Sequence, residues 1–263
     1  MNLDEVRTRA NENKQLGILN RFSSRSANDN KNKHLWCIGA DLFIPQINSI
    51  LEKQDYKMEI VDIQNFKNKK QDELGDLFND FGSDKAAKHD YYIFYSYILN
   101  KLNTDSKLNI LEIGLGTNNP NLISNMGITG KPGASLRAFK NFLPNSFIFG
   151  ADIDKNILFN ESRIKTTYVD QLNDETFKDM DNIFGNIKYD LIIDDGLHSI
   201  CANLNTLIYA LDKVKDNGWI VIEDIYLADN WNIIDFILSK DPKYEINIIC
   251  NKRKRYMFVI HKL

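Results

Sequence analysis

The sequence has only three cysteines, five prolines and four histidines in 263 residues. Cys37, Cys201 and Cys250 are odd in number, far apart and without metal-ligand spacing. That argues against a disulfide framework or a zinc site and for free thiols in a reducing cytoplasm. Long apolar runs are missing too: no stretch approaches the roughly 20 residues a spanning helix needs. The opening MNLDEVRTRANENKQ lacks the basic-then-apolar layout of an export signal, so the expectation is a cytoplasmic chain outside the membrane. Nor does one charge dominate. Lys and Arg number 33 against 36 Asp and Glu, a net charge of -3, and no overall field would hold a polyanion such as nucleic acid. The basic run NKRKR (251–255) lies between two strand-like segments and reads as a solvated loop tip.

What is present is enough apolar material, 43% of residues, to bury a full core. Residues 1–33 are polar, and SSRSANDNKNK looks like a loop. HLWCIGA (34–40), LFIPQINSILEKQ (42–54) and YKMEIVDI (56–63) suggest strand, helix and strand, a small N-terminal unit over 1–75 ahead of a main domain over 76–263. A helical pattern rises from Lys85, with Tyr91, Tyr95, Ile98 and Leu102 spaced to share one face. From Leu108 strands and helices alternate. Short β-branched strands are expected at 108–114, 146–152, 164–170, 189–194 and 219–224, with crossover-length segments after the first four. Such a rhythm means an α/β fold with a parallel sheet covered on both faces. YEINIIC and YMFVIHKL, joined by the basic turn, add an antiparallel hairpin and bring the expected sheet to seven strands.

In an open parallel sheet, ligands bind beyond the carboxyl ends of the strands. LEIGLG places Glu112, Gly114 and Gly116 there, with glycines that let the backbone approach a ligand. Asp152 and Asp170 end the next two strands, where carboxylates can accept hydrogen bonds from ribose hydroxyls and from an adenine amino group. The loop GLGTNNPNLISNMGITGKPG is not a G-x-G-x-x-G dinucleotide fingerprint, which counts against hydride-transfer chemistry. A helix begins near Ser135, which either caps it or sits where free amides receive a ligand carboxylate. The remaining two tips read YDLIIDDGLHS and WIVIEDI. Carboxylates this close repel unless a cation neutralises them, and an all-oxygen set suits Mg²⁺ or Mn²⁺. Asp195, Glu223 and Asp224 are the candidate ligands, His198 the candidate general base, and Asp194 either packs beneath the site or contacts the cofactor.

Taken together, GSDKAAKHDYYIFY, LEIGLGTNN, GKPGASLRAF, GADID, RIKTTYVDQ, DDGLH and VIEDI resemble the class I, metal-dependent sugar O-methyltransferases that use S-adenosylmethionine (SAM). The resemblance covers about residues 80–263. It implies a Rossmann-like methyltransferase fold with a mostly parallel seven-stranded sheet, Mg²⁺ at Asp195, Glu223 and Asp224, and base catalysis by His198 with Asp195. It also implies cofactor contacts from Glu112, Gly114, Gly116, Ser135, Asp152, Asp170 and Asp194, and from Lys85 and Tyr91 in a segment that closes over the cofactor. Where the family usually has Ser or Thr before the motif histidine, this chain has Leu197. The acceptor expected from the resemblance is a sugar hydroxyl of a nucleotide-linked hexose or heptose destined for surface polysaccharide. Another small acceptor (a macrolide sugar, a catechol or a phosphoramidate) is the alternative, and a SAM-binding scaffold without catalysis is a third. Self-association is left open.

Overall fold

The structure, a computed structural model, describes residues 44–53, 56–225 and 227–263. The strand expected over 34–40 and Cys37 lie outside these residues. Residues 44–52 are helical, within the helix expected from 42. The strands are β1 (Ile60–Asp62), β2 (Asn109–Ile113), β3 (Phe147–Asp152), β4 (Asn160–Glu161), β5 (Ile164–Tyr168), β6 (Tyr189–Asp194), β7 (Val214–Ile225), β8 (Tyr244–Cys250) and β9 (Tyr256–Lys262). The helices are α1 (Gln71–Phe81), α2 (Asp84–Ala87), α3 (Tyr92–Lys101), α4 (Ala134–Phe142), α5 (Glu175–Phe184), α6 (Ile200–Lys213) and α7 (Asn232–Leu238). No helix among the described residues is long and apolar enough to cross a membrane.

One sheet of nine strands runs in the order β1-β8-β9-β7-β6-β2-β3-β5-β4. All neighbouring pairs are parallel except those made by β9 and β4. The five inner parallel strands and the closing hairpin match the sequence reading. The two additional strands extend the edges. β1 pairs with β8, Ile60 opposite Ile248, so the strand expected in a separate N-terminal unit hydrogen-bonds to the main sheet. α1 runs across the expected boundary at 75/76 and packs on α3 and α4. β4 is two residues long, too short to leave a periodic signal.

Successive strand residues point to opposite faces, and here both faces are covered. Ile110, Leu191 and Ile193 pack with Leu74, Phe78, Tyr95 and Phe139 on one side. Leu111, Ile113 and Ile192 pack with Phe177, Met180, Leu207 and Trp231 on the other. This is why the strand sequences read as unbroken apolar runs. The helix expected from Lys85 is broken: α2 ends after one turn, Asp90 adopts φ 58, and α3 starts at Tyr92. Asp can occupy that left-handed conformation more readily than most residues, which turns the chain before the tyrosines.

Candidate active site

The carboxyl ends of β2, β3, β5, β6 and β7 open into two adjoining cavities. The first, about 250 Å³, is lined by Lys85, His89, Glu112, Ser135, His198 and Glu223 among others. The second, about 370 Å³, is more apolar and includes Asp152, Val169, Asp170, Leu172 and Leu197. Gly114, Gly116 and Asp195 line both, so the cavities meet at the β2 and β6 tips.

Gly114 is needed at that junction. Its φ is +97, and a Cβ there would lie 2.1 Å from the carbonyl oxygen of Asp195. Only glycine lets the two tips touch. Asp152 is buried; its oxygens accept from the Leu115 and Asp154 amides at 2.7 and 2.8 Å, which aims the loop after β2 while its carboxylate faces the second cavity. Asp170 accepts from the Leu172 amide at 2.9 Å. Ser135 does not cap α4: Gly133, at φ 71, holds that position without a side-chain bond. The Ser135 hydroxyl instead donates to Glu112 at 2.5 Å.

Asp194 lines neither cavity. Its oxygens accept from Gln171 at 2.8 Å, Asn203 at 2.9 Å and the Gly196 amide at 3.2 Å. It therefore shapes the turn carrying Asp195 and His198 and faces neither cavity. Gln171 was not singled out as a site residue in the sequence reading. It donates to Asp194 and accepts from the Leu197 amide at 2.8 Å, tying the β5 tip to the β6 turn. Its signal was only its place after Asp170.

Adjacent residues on a regular strand face opposite ways, yet Glu223 and Asp224 both reach the site. The pairing of β7 with β9 shifts register between Ile222 and Ile225, and Asp224 has φ 48. This bulge re-aims the second carboxylate, a use bulges commonly serve beside active sites. Tyr91 and Tyr95, four residues apart, then hold the pair: Tyr91 donates to Asp224 at 2.6 Å and Tyr95 donates to Glu223. Their rings lie in the core and their hydroxyls brace the carboxylates, so Tyr91 supports the site without lining either cavity.

At the centre sits Lys85, 1% exposed. Its ammonium is 2.6 Å from Asp195, 2.7 Å from Glu223 and 3.1 Å from Glu112. Burial alone would lower its pKa, but the three carboxylates outweigh burial and raise it well above the ordinary value. Burial also raises Glu112, and burial together with the Asp195 charge raises Glu223 well above the ordinary range. Asp195 is raised by burial against the opposing pull of Lys85 and His198. His198, in a left-handed conformation at φ 55, places Nε2 3.6 Å from Asp195. His89 approaches Asp224 at 3.7 Å and Asp84 at 3.6 Å.

Two of the three expected ligands, Asp195 and Glu223, thus converge, but on an ammonium, while Asp224 is held by Tyr91. Oxygen donors in this number suit a hard divalent ion in their chemistry. Their arrangement does not: the point shared by Asp195 and Glu223 is filled by Lys85 Nζ, and among the described residues no group of three or more His, Cys, Asp or Glu is disposed to hold a metal.

This fold and this placement of a glycine-rich loop and strand-end acids define a class I SAM-dependent methyltransferase architecture. The chain is related in sequence to macrolide-deoxysugar O-methyltransferases. It is 41% identical over 98 residues to mycinamicin VI 2''-O-methyltransferase of Micromonospora griseorubida, covering 36% of this chain and 24% of that protein. It is 29% identical over 145 residues to 8-demethyl-8-alpha-L-rhamnosyl tetracenomycin-C 2'-O-methyltransferase of Streptomyces olivaceus, covering 55% and 35%. The chain therefore spans about a third or less of the length of these relatives. Among solved structures it is similar to the MycE methyltransferase from the mycinamycin biosynthetic pathway in complex with Mg and SAH, with TM-score 0.55 and 21% identity over 72% of this chain and 55% of that one. No family model matches the chain.

Proposed function

We propose that the protein transfers a methyl group from SAM to a sugar hydroxyl. The observation that carries this reading is the position of Asp195, which lines both cavities and lies 3.6 Å from His198. The candidate base thereby stands where the more apolar cavity opens into the polar one. The second cavity takes adenosine, with Asp152 and Asp170 toward ribose and base and Leu172 and Leu197 against the ring. The first takes the amino-acid part beside Glu112 and Ser135, together with the acceptor.

The acceptor oxygen attacks the sulfonium methyl in line, forming the O–C bond as the C–S electron pair returns to sulfur. His198 Nε2 takes the hydroxyl proton, and Asp195 stabilises the imidazolium that results. The 3.6 Å separation exceeds a hydrogen bond, so Asp195 acts on the imidazolium through its charge. A divalent ion bound by Asp195, Glu223 and Asp224 would polarise the acceptor oxygen. With Lys85 in that place, every step above is carried by side chains of the chain itself.

The relatives' reactions, 2''-O-methylation of mycinamicin VI and 2'-O-methylation of a rhamnosyl tetracenomycin, support a sugar on a glycoside, such as a macrolide deoxysugar, over the nucleotide-linked hexose or heptose expected first. Transfer of isotope-labelled methyl from SAM to a panel of glycosides and nucleotide sugars tests the reading. His198→Ala should bind SAM normally and turn over on the order of a hundredfold more slowly. No transfer to any sugar, or undiminished turnover in the variant, contradicts it.

A further inference from the structure

The methyl-transfer chemistry above uses no side chain from the long loop between β2 and α4. One of them stands at the junction of the two cavities: Ser124 lines both, as Gly114, Gly116 and Asp195 do. The glycines offer no side chain there, and the Asp195 carboxylate is engaged by Lys85 at 2.6 Å. Of these four residues, Ser124 supplies the neutral polar side chain.

Its hydroxyl is held in one orientation. It donates to the Gly196 carbonyl at 2.7 Å, which commits its hydrogen and leaves the oxygen free only to accept. Ser124 also has φ 58, a left-handed conformation that few residues other than glycine adopt. The loop around it is tied down on both sides. The Met126 amide donates to the Thr117 carbonyl at 2.8 Å, and the buried Thr117 hydroxyl donates to Asp154 at 2.6 Å. The Met126 thioether fills the space beside Gly116, where a Cβ would lie 2.0 Å from its sulfur. A backbone outlier that its surroundings over-determine, at the meeting point of two cavities, points to a conformation with a use.

An oxygen that can only accept, placed beside a sulfonium, favours the charged donor over the spent product. The positive sulfur of SAM polarises the C–H bonds of the carbons attached to it, whereas S-adenosylhomocysteine has a neutral thioether and otherwise the same adenosine and amino-acid parts. We propose that Ser124 discriminates the cationic methyl donor from the neutral product, its hydroxyl oxygen accepting a C–H···O contact from a carbon on the sulfonium. When the methyl group leaves, the charge and the contact are lost together, which favours exchange of product for fresh donor. This rests on the methyl-transfer reading for placing the sulfonium at the junction.

Calorimetry on the full chain tests it without turnover, using SAM, S-adenosylhomocysteine and sinefungin, an analogue in which a carbon bearing an ammonium replaces the methylsulfonium. The parent should bind both cations more tightly than the neutral product. In Ser124→Ala that preference should fall on the order of fivefold for SAM and on the order of tenfold for sinefungin, whose N–H groups are the stronger donors. Ser124→Gly, which suits φ 58 and also lacks the hydroxyl, should show the same loss and separates it from any effect of backbone strain. A hydroxyl that only latches the loop would weaken all three ligands alike, so an unchanged preference in both variants overturns the proposal. A parent that binds the product as tightly as the two cations overturns it too. Binding of none of the three by the parent removes the methyl-transfer reading and this proposal with it. Loss of the preference in the variants, with no methyl transfer to any sugar by the parent, supports the proposal and counts against the acceptor assigned above.

Discussion

Replacing Lys85 by Met removes the ammonium and keeps a side chain of similar length. Lys85 is 1% exposed, and two of its partners, Glu112 and Glu223, are 1% and 3% exposed. Removing one partner of a buried ion pair costs about 3–5 kcal/mol, because the remaining charges are left uncompensated. Asp195 is 24% exposed, so water relieves part of its share, and the raised pKa values let a carboxyl take up a proton instead. The lower end, about 3 kcal/mol, is therefore expected near neutral pH. At about 2–4 °C per kcal/mol for a domain of this size, the melting temperature should fall by on the order of 10 °C. The pH dependence has a definite sign. The pKa of Glu223 is raised on folding, so its contribution is favourable below its unfolded value of 4.5 and is lost as pH rises through the folded value. Once the carboxyls are protonated the lysine has less to neutralise, and the gap between parent and variant should narrow on acidification. Thermal unfolding of both proteins in chelator at pH 8 and pH 5 measures this. A gap below about 1 kcal/mol at pH 8, the range of an exposed pair, or a gap that widens toward pH 5 would refute the reasoning.

Gly114→Ala should displace the turn carrying Asp195, because the new Cβ would lie 2.1 Å from that residue's carbonyl oxygen at φ +97. Stability should fall by roughly 3 kcal/mol or more and SAM affinity with it, checked by urea unfolding and calorimetry; normal SAM binding would remove Gly114 from the cavity junction. Asp84 is opposed by burial, but the His89 contact and the charges of Lys85, His89 and Lys88 outweigh it and hold its pKa at about 2. Its folded pKa is depressed, so its stabilisation, about 2 kcal/mol, is present above the unfolded value near 3.8 and lost as pH falls toward 2. Asp84→Asn should accordingly be destabilised at neutral pH and approach the parent as the pH drops from 4 toward 2 in denaturant titrations; a pH-independent gap would contradict this.

The parallel core of the sheet and the closing hairpin were legible because inner strands buried on both faces leave continuous β-branched runs. β1 was legible as a strand and not as an edge of this sheet, since three residues carry no information about their partner. The acidic tips were legible as residue types. Their geometry was not, because Glu223 and Asp224 depend on a bulge that shows only in the pairing of β7 with β9. Lys85 read as part of a closing segment, and nothing in its neighbours along the chain signals that β2, β6 and β7 each bring a carboxylate to it. Of the two readings of Ser135, the cap fails for a related reason: the partner of its hydroxyl, Glu112, lies 23 residues away.

The most direct test of the account is an experimental structure of the full chain bound to S-adenosylhomocysteine. The account expects the adenine between Leu172 and Leu197, the ribose hydroxyls on Asp152, and the sulfur turned toward Asp195 and His198 at the junction of the two cavities. A ligand that leaves the second cavity empty, or whose sulfur faces away from His198, would contradict it.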